Sequence, residues 1–358
     1  MIKRTVNHMN VIFFICITLA VLLNGCASVQ FAPLDIVPLH NRIDSALEES
    51  GFTAEYQLSA YYISVHDQSD AWELLDTDFQ LPTSFDLESA VATAINRLES
   101  AQFSVTPVYL QIAPPMNVYR LEIRYNGLLI GIASFHQHIA GYAAIVIDDL
   151  GHNTRALPAA LSINRPLTFA VLPHLPKSAH LAEVLHKNGQ LIMLHQPMAP
   201  EGTENPGPGA ILAGMNAQQI EDVLSENINS IPYIAGINNH MGSRITADKH
   251  AMSVILSYLK RNDLFFFDSL TGNSVCSSVA AELDFPIYVR NTFIDNEHSK
   301  PYIHKQLDRL IYHALVHGTA IGIGHFYPIT LECIYEKIPE LDKKKVKLVY
   351  ISDLKPGY

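Results

Sequence analysis

Residues 143–150 of this chain read Ala-Ala-Ile-Val-Ile-Asp-Asp-Leu, an apolar run that ends in two consecutive carboxylates. Such an uninterrupted run predicts a β-strand that is buried on both faces. Strands of that kind form parallel sheets, in which each strand reaches the next through a crossover helix. The run therefore predicts an α/β fold with Asp148 and Asp149 at the carboxyl end of a strand.

Similar runs recur toward the carboxyl terminus and are separated by amphipathic segments. One predicted helix begins at Asn216, with Gln219 at capping-box spacing, and another follows Thr246 as its N-cap. About eight strand–helix units over roughly 210 residues indicate a distorted (β/α) barrel. The predicted strands are Ala143–Ile147, Leu167–Leu172, Gln190–Leu194, Ile234–Ile237, Leu264–Phe267, Pro286–Val289, Thr319–Ile323 and Val346–Ile351.

Polar and ionisable residues follow most of these predicted strands. In (β/α) barrels the carboxyl ends of the strands meet at one rim, and the active site forms there. A single Asp or His after a strand is ordinarily a turn or capping residue, but their recurrence at one rim indicates a functional site. The strand ends are Asp148-Asp149, Pro173-His174, His195, Asn238-Asn239-His240, Asp268-Ser269, Arg290 and His325.

The adjacent carboxylates Asp148 and Asp149 repel each other unless a cation or a proton separates their charges. A metal ion bound by one of them would leave the other free to act as a base. His195 and His240 complete an Asp-His-His ligand set with open positions, which suits Zn²⁺ and other divalent metals. His325 would face the metal as a general acid, because an imidazole titrates near neutral pH.

These residues lie in segments that resemble the divergent polysaccharide deacetylases, a branch of the polysaccharide deacetylase superfamily with a distorted (β/α) barrel. The resemblance extends from about Ala143 to Leu354, which is more than half of the chain. The matching segments are Ile147–Gly151, Leu194–Met198, Pro206–Gly209, Asn238–Ser243, Phe267–Ser269, Phe293–Glu297 and Ile321–His325.

The resemblance implies a metal-dependent hydrolase, a carbohydrate N-deacetylase that acts on an envelope or exported polysaccharide. In the superfamily the first Asp of the pair is the general base, and the second binds the metal together with two histidines. The resemblance thus implies Asp148 as base, Asp149, His195 and His240 as ligands of a divalent metal such as Zn²⁺, and His325 as general acid.

Three further residues, Asp268, Arg290 and Asp295, are candidates for binding substrate or supporting the site, with structural ion pairs as the alternative. The chain also departs from the family pattern in ways that alter the predicted pocket wall. A second interpretation therefore stays open, a non-catalytic lipoprotein that binds a glycan or a protein through a degenerate site. A metal-dependent hydrolase of another ester or amide is a third. The departures are Gln196, Ala199, Asn291, Phe326 and Ile329.

Residues 1–25 resemble the signal peptide of a bacterial lipoprotein. Lys3 and Arg4 precede an apolar run, Val11–Leu23, that is too short to span a bilayer. The run ends in Leu-Asn-Gly before Cys26, similar to a lipobox whose cysteine carries the lipid anchor. We expect export to the periplasm and anchoring to the outer membrane, since no Asp follows Cys26. An ordinary secretory signal with an incidental cysteine is the alternative.

Residues 26–139 are predicted to form a linker and a small α+β accessory domain, and residues 140–358 form the predicted barrel. No residue cluster in the accessory domain suggests chemistry. Asn126-Gly127 lies between two alternating runs and predicts a tight hairpin. The predicted helices and strands of this domain are His40–Glu49, Ala54–His66, Asp86–Leu98, Val105–Ile112, Val118–Tyr125 and Leu128–Phe135.

Composition restricts the class of partner. The chain has 24 Lys and Arg residues against 35 Asp and Glu residues, a formal net charge of −11. Nucleic acid is not expected as a partner, because binding it requires a basic surface. Cys276 and Cys333 are the cysteines that remain beyond the signal and the anchor. The sequence leaves open whether they form a disulfide in the periplasm or stay buried as free thiols.

Overall fold

The structure is a computed structural model that describes residues 36–67, 70–112 and 116–358. The predicted signal peptide and the predicted anchor at Cys26 lie outside the described residues. None of the helices in the described ranges has both the length and the apolar character needed to cross a bilayer. The described residues form two β-sheets, each associated with its own large cluster of buried apolar side chains.

The first sheet belongs to the amino-terminal region. Its strand order is β1-β2-β5-β4-β3, and neighbouring strands are antiparallel except for β2 and β5. Apolar side chains of both helices pack with strand residues in one buried cluster, which holds this region together. The elements are α1 (Val37–Glu48), β1 (Gln57–Asp67), β2 (Asp70–Leu81), α2 (Leu87–Ser100), β3 (Ser104–Ile112), β4 (Met116–Tyr125) and β5 (Leu128–His138).

The predicted hairpin at Asn126-Gly127 is confirmed. Asn126 and Gly127 connect β4 to β5 and have φ angles of 50° and 83°. Two successive positive φ angles define the turn whose twist matches that of the strands it joins.

The second sheet contains the remaining strands, and helices lie between most of them. The elements are β6 (Gly141–Leu150), α3 (Leu157–Ser162), β7 (Thr168–Val171), α4 (Ser178–Lys187), β8 (Leu191–Met198), α5 (Ala217–Asn229), β9 (Ile234–Met241), α6 (Lys249–Arg261), β10 (Phe265–Asp268), α7 (Cys276–Glu282), β11 (Tyr288–Val289), β12 (Thr292–Phe293), α8 (Lys300–His317), β13 (Thr319–His325), α9 (Pro328–Lys343) and β14 (Val346–Val349).

All neighbouring strands of this second sheet are parallel. The order is β11-β10-β9-β8-β7-β6-β13-β12, and β14 adds a further pairing to β6. The sheet curls into a partial barrel, and no pairing between β11 and β12 closes it within the described part of the chain. The predicted α/β class is confirmed.

The run at residues 143–150 is buried on both faces, as its composition predicts. Ile145 and Ile147 belong to the large cluster that includes the helices, whereas Ala144 and Val146 pack with side chains from other strands inside the curl. Fully burying a side chain such as Ile or Val contributes about 1.5–3 kcal/mol. Burial on both faces therefore holds β6 in place, and with it the position of Asp148 and Asp149 at its carboxyl end.

Two strands were not predicted, and one helix begins later than predicted. The acidic stretch Asp70–Leu81 forms β2, which was not predicted, and the two-residue strand β12 was not predicted either. Helix α6 does not start after Thr246, because Asp248 is its N-cap and accepts hydrogen bonds from the backbone N–H groups of His250 and Ala251. Thr246 instead donates its hydroxyl to the carbonyl of Gly242.

Candidate active site

Strand register brings the ends of four strands together at one rim of the second sheet. His325, the last residue of β13, is the register partner of Asp148 on β6. His195 on β8 is the register partner of Asn238 on β9. Neighbouring strands are about 4.8 Å apart, so these partners lie side by side.

Asp149 has a backbone conformation that redirects its side chain. Its φ angle is 65°, and the pairing of β6 with β7 is interrupted between Ile147 and Leu150. Successive side chains of a regular strand point to opposite faces, yet Asp148 and Asp149 line the same cleft. A left-handed conformation of a non-glycine residue costs on the order of 1–3 kcal/mol and is typical of functional sites.

The three predicted metal ligands lie together. The Oδ1 atom of Asp149 is 3.2 Å from Nε2 of His195 and 3.1 Å from Nδ1 of His240. The two ring nitrogens are 3.1 Å apart. Each residue therefore offers a potential ligand atom within 4.8 Å of the other two.

Asn238 holds His195 and Asp148 in place from a fully buried position. Its Oδ1 atom lies 2.8 Å from Nδ1 of His195, and its amide nitrogen donates to Oδ1 of Asp148 at 2.9 Å and to Oγ of Ser269 at 3.1 Å. An amide oxygen only accepts hydrogen bonds, so Nδ1 of His195 carries a proton. In the neutral imidazole, Nε2 then directs its lone pair toward Asp149.

The donor atoms fit a divalent cation. Oδ1 of Asp149 is buried and receives no well-aligned hydrogen bond, although it faces two imidazoles. A carboxylate oxygen and two imidazole nitrogens that lie 3.1–3.2 Å from one another form a ligand set that suits Zn²⁺ and related metals. The three residues predicted as ligands therefore fit a divalent cation in both chemistry and placement.

Protons compete with a cation for this site. Burial acts to lower the pKa of His195, but the carboxylates of Asp148 and Asp149 raise it above its ordinary value. Burial acts to raise the pKa of Asp149, but His195 and His240 hold it well below its ordinary value. Because a cation would displace a proton from His195, we expect its binding to weaken as pH falls.

Asp148 lies beside this cluster and is 3% exposed. Its Oδ2 atom is 3.7 Å from Nε2 of His195. Burial raises the pKa of Asp148, and this effect outweighs the opposing influence of His195 and His325. A carboxylate with a raised pKa is suited to accept a proton near neutral pH.

His325 is held by a buried carboxylate, Asp295. Nδ1 of His325 lies 2.8 Å from Oδ1 of Asp295, while the backbone N–H of His325 and the hydroxyl of Thr330 both donate to Oδ2. Burial acts to lower the pKa of His325, but the hydrogen bond to Asp295 raises it to about 9. His325 is therefore protonated at neutral pH, as a general acid must be.

The site opens into a cleft of about 440 Å³, within the usual size range for small-molecule sites. Three carboxylates and no Lys or Arg side chain contribute to its described walls. The aromatic ring of Phe293 lies nearly parallel to the ring of His325, with 6.5 Å between the ring centres. The cleft is lined by Asp148, Asp149, His195, Pro200, Gly202, Glu204, Asn239, His240, Met241, Ser243, Ser269, Thr271, Phe293 and His325.

The sequence profile of the divergent polysaccharide deacetylases matches residues 145–355. This match spans more than half of the chain and includes every residue placed in the cleft above. The chain belongs to the divergent polysaccharide deacetylase family.

Bacterial relatives extend the comparison. The uncharacterized protein YibQ of Escherichia coli (strain K12) is 32% identical over 217 residues, which are 60% of this chain and 68% of YibQ. An uncharacterized protein of Haemophilus influenzae (strain ATCC 51907 / DSM 11121 / KW20 / Rd) is 32% identical over 212 residues, 59% of this chain and 75% of that protein.

A solved structure shares the fold. The uncharacterized protein ATU2773 from Agrobacterium tumefaciens C58 superposes with a TM-score of 0.57 and 24% identity, covering 61% of this chain and 90% of that chain. The predicted distorted (β/α) barrel of the polysaccharide deacetylase type is confirmed, in the form of a curled parallel sheet that makes half a barrel.

One departure from the family pattern has a structural explanation. Gln196 is fully buried and donates to the carbonyls of Pro197 and Gly209, while Asn227 donates to Oε1 of Gln196 and to the same Gly209 carbonyl. These amides attach the segment 199–215 to the sheet at Gly209. The exposed part of the segment, with Glu204, borders the cleft.

The structure places two of the three supporting candidates away from the cluster of ligand atoms. Asp268 accepts hydrogen bonds from the backbone of Leu270 and the hydroxyl of Ser274. Arg290 donates to the carbonyls of Ser269 and Leu270, and its guanidinium lies 3.8 Å from the ring centre of Phe293. Both residues shape the loop after β10, whereas the third candidate, Asp295, contacts His325 directly.

Sequence reasoning noted Asn238 only as a strand end and gave no role to Phe293. From the sequence alone, an Asn at the end of an apolar strand looks the same whether it is purely structural or orients a metal ligand. The available indication of a role for Asn238 was its position at the end of a buried strand, because a buried amide requires hydrogen-bond partners.

Proposed function

We propose that this family member is a metal-dependent hydrolase that removes acetyl groups from the amino sugars of an envelope or exported polysaccharide. The observation that carries the proposal is the convergence of Asp149, His195 and His240, with Asp148 and His325 on the walls of the same cleft. When bound to these three residues, a divalent cation would polarise the acetamide carbonyl and make a water molecule more acidic.

Asp148 and His325, beside the proposed cation site, would have different roles in the reaction. Asp148 would accept the proton of the water that attacks the carbonyl carbon. Its hydrogen bond from Asn238 fixes one oxygen and leaves the other directed toward the cluster. General-base catalysis of this kind contributes about 10²–10⁴-fold to the rate.

His325 would protonate the leaving group. As the amide C–N bond breaks, the departing sugar nitrogen requires a proton, and the protonated imidazole of His325 supplies it. Asp295 keeps this imidazole charged and oriented through Nδ1. The acid and the base thus lie on neighbouring strands, β13 and β6, with their backbones in register.

The experiment is acetate release from chitin oligomers and from peptidoglycan by the zinc-loaded protein. We expect release by the wild-type chain, a loss of at least about 100-fold in Asp148→Asn, and no loss in Asp222→Asn, an exposed carboxylate on α5. Release that is unchanged by Asp148→Asn would contradict the role of the base. No release from either substrate would favour the binding interpretation instead.

We also propose that the chain is exported and attached to the membrane through Cys26, on the lipobox-like sequence before it. The measurement is incorporation of labelled palmitate and fractionation of cells that express the chain. We expect the wild-type protein in the outer-membrane fraction with label, and Cys26→Ala without label. Equal distribution and equal labelling of the two would contradict the anchor.

A further inference from the structure

A second group of potential metal ligands lies on the helices α8 and α9, apart from the cleft. His304 belongs to α8, and Cys333 and Glu336 belong to α9 at a spacing of three residues. Each offers one ligand atom within 4.8 Å of the other two. We propose that these three residues form a second metal site, for Zn²⁺ or a similar transition metal.

Cys333 is the residue that sets this group apart from an ordinary surface ion pair. Its side chain is fully buried, and no hydrogen bond reaches its thiol from the described residues. Burial raises the pKa of Cys333, so the sulfur carries its proton when no metal is present. Binding a cation would release that proton and give the thiolate a partner that it lacks in the helix pair.

The other two ligands are already positioned toward each other. Nε2 of His304 lies 3.0 Å from Oε2 of Glu336. The second carboxylate oxygen, Oε1, accepts a hydrogen bond from Nζ of Lys300 at 2.7 Å. The lysine therefore orients the carboxylate through the oxygen that faces away from His304, in the way that outer partners orient metal ligands.

The donor set restricts the metal. A thiolate, an imidazole and a carboxylate together favour zinc and related transition metals over Mg²⁺ or Ca²⁺, which prefer oxygen ligands alone. The side chains of His304 and Glu336 are 31% and 44% exposed, so an ion can enter from solvent and water can complete its coordination.

The position in the fold suggests what the site does. Helix α8 follows the segment that carries Asp295, and α9 follows His325 and contains Thr330. Thr330 on α9 donates its hydroxyl to Asp295, which in turn holds the imidazole of His325. The orientation of His325 therefore depends on how α8 and α9 pack. A metal bound between α8 and α9 would stabilise that packing and remain distinct from the candidate active site.

The test uses Co²⁺ as the probe, because a cobalt–thiolate bond gives a charge-transfer absorbance that nitrogen and oxygen ligands do not give. The three proposed ligands in the cleft contain no sulfur, and a cobalt–thiolate band requires a cysteine, so any such absorbance reports on a cysteine. The protein is the full chain with Cys16→Ser and Cys26→Ser, in which Cys276 and Cys333 are the remaining thiols. Cys276 is also buried and free, so Cys276→Ala is the matched control.

We expect the absorbance in the parent chain and in Cys276→Ala, its loss in Cys333→Ser, and at least about tenfold weaker cobalt binding in His304→Ala. Lys300→Ala should retain the band, because the lysine is not a ligand. No absorbance in the parent chain, or the same absorbance in Cys333→Ser, would overturn the proposal. Neither result depends on deacetylase activity, and the double variant Asp149→Asn/His195→Gln should keep the band.

Discussion

Oδ1 of Asn238 lies 2.8 Å from Nδ1 of His195, and the amide nitrogen of the same residue donates to Asp148. One neutral side chain thus orients a proposed metal ligand and the proposed base. A carboxylate at this position would still accept from His195 but would repel Asp148. The amide is therefore the group that serves both neighbours.

Substitutions of Asn238 separate these two effects. Asn238→Asp should retain metal, because His195 keeps its acceptor, but should lose activity by at least about tenfold through repulsion of Asp148. Asn238→Ala should weaken metal binding by about 10–100-fold as well. Metal affinity and acetate release are measured on both variants. Equal losses of both properties in Asn238→Asp would show that the residue is merely structural.

The adjacent carboxylates should differ in what they bind. Asp149→Asn removes the anionic ligand atom and should reduce zinc content of this site, whereas Asp148→Asn should retain zinc and lose activity. Elemental analysis of both proteins, in a Cys333→Ser background that removes the second proposed site, makes the comparison. A normal zinc content in Asp149→Asn would remove this residue from the ligand set.

The ion pair of His325 and Asp295 gives a pH dependence of stability. The pKa of His325 is raised to about 9 by Asp295 and the pKa of Asp295 is lowered by His325, so the pair is most stabilising between the unfolded-state values of the two groups. The contribution of His325 is complete below about pH 6.5 and disappears as pH rises through its folded value.

Chemical unfolding in EDTA at pH 6 and pH 10 measures this effect. We expect the free energy of unfolding of the wild type to exceed that of His325→Gln by on the order of 1–3 kcal/mol at pH 6, and the excess to vanish at pH 10. An excess that is the same at both pH values would contradict a charged pair.

Gln196 and Asn227 attach the segment 199–215 at Gly209, so substitutions of Gly207 and Gly209 should differ in their effect on stability. Gly207 and Gly209 both have positive φ angles, 98° and 70°. A Cβ atom on Gly209 would collide with Oδ1 of Asn227, whereas a Cβ atom on Gly207 would have no atom of the described residues within 4 Å. Both Ala variants lose about 1–2 kcal/mol from the backbone. Gly209→Ala should lose a further 1–3 kcal/mol, roughly, as the amide network is disturbed.

Thermal or chemical unfolding of the two variants decides this prediction, with the wild type as reference. Acetate release should fall only in Gly209→Ala, because the loop that it attaches borders the cleft. Equal stability of the two variants would mean that the buried amides do not hold the loop.

The apolar runs were sufficient to predict the parallel sheet, and the residues that follow them indicated the group of polar side chains at its rim. Burial on both faces makes a run such as 143–150 recognisable, and register in a parallel sheet then brings its end beside the ends of other strands. The left-handed conformation of Asp149 has no comparable signal, because the interrupted ladder that requires it forms only in the folded sheet.

Strand β2 was not predicted for a related reason. Its buried residues, which include Leu75 and Phe79, alternate with Asp76 and Asp78, and Asp disfavours strands when it is judged alone. Pairing with β1 and β5 supplies the stability that propensity lacks. The partners of Asn238 and Gln196 lie on different elements, so their amide networks could not be read from local spacing either.

The central claim is that Asp149, His195 and His240 bind one divalent cation beside Asp148 and His325. A crystal structure of the zinc-loaded protein with anomalous scattering measured at the zinc edge tests it most directly. The account predicts an anomalous peak about 2.0–2.2 Å from Oδ1 of Asp149, Nε2 of His195 and Nδ1 of His240. No peak among these three atoms at saturating zinc would contradict it.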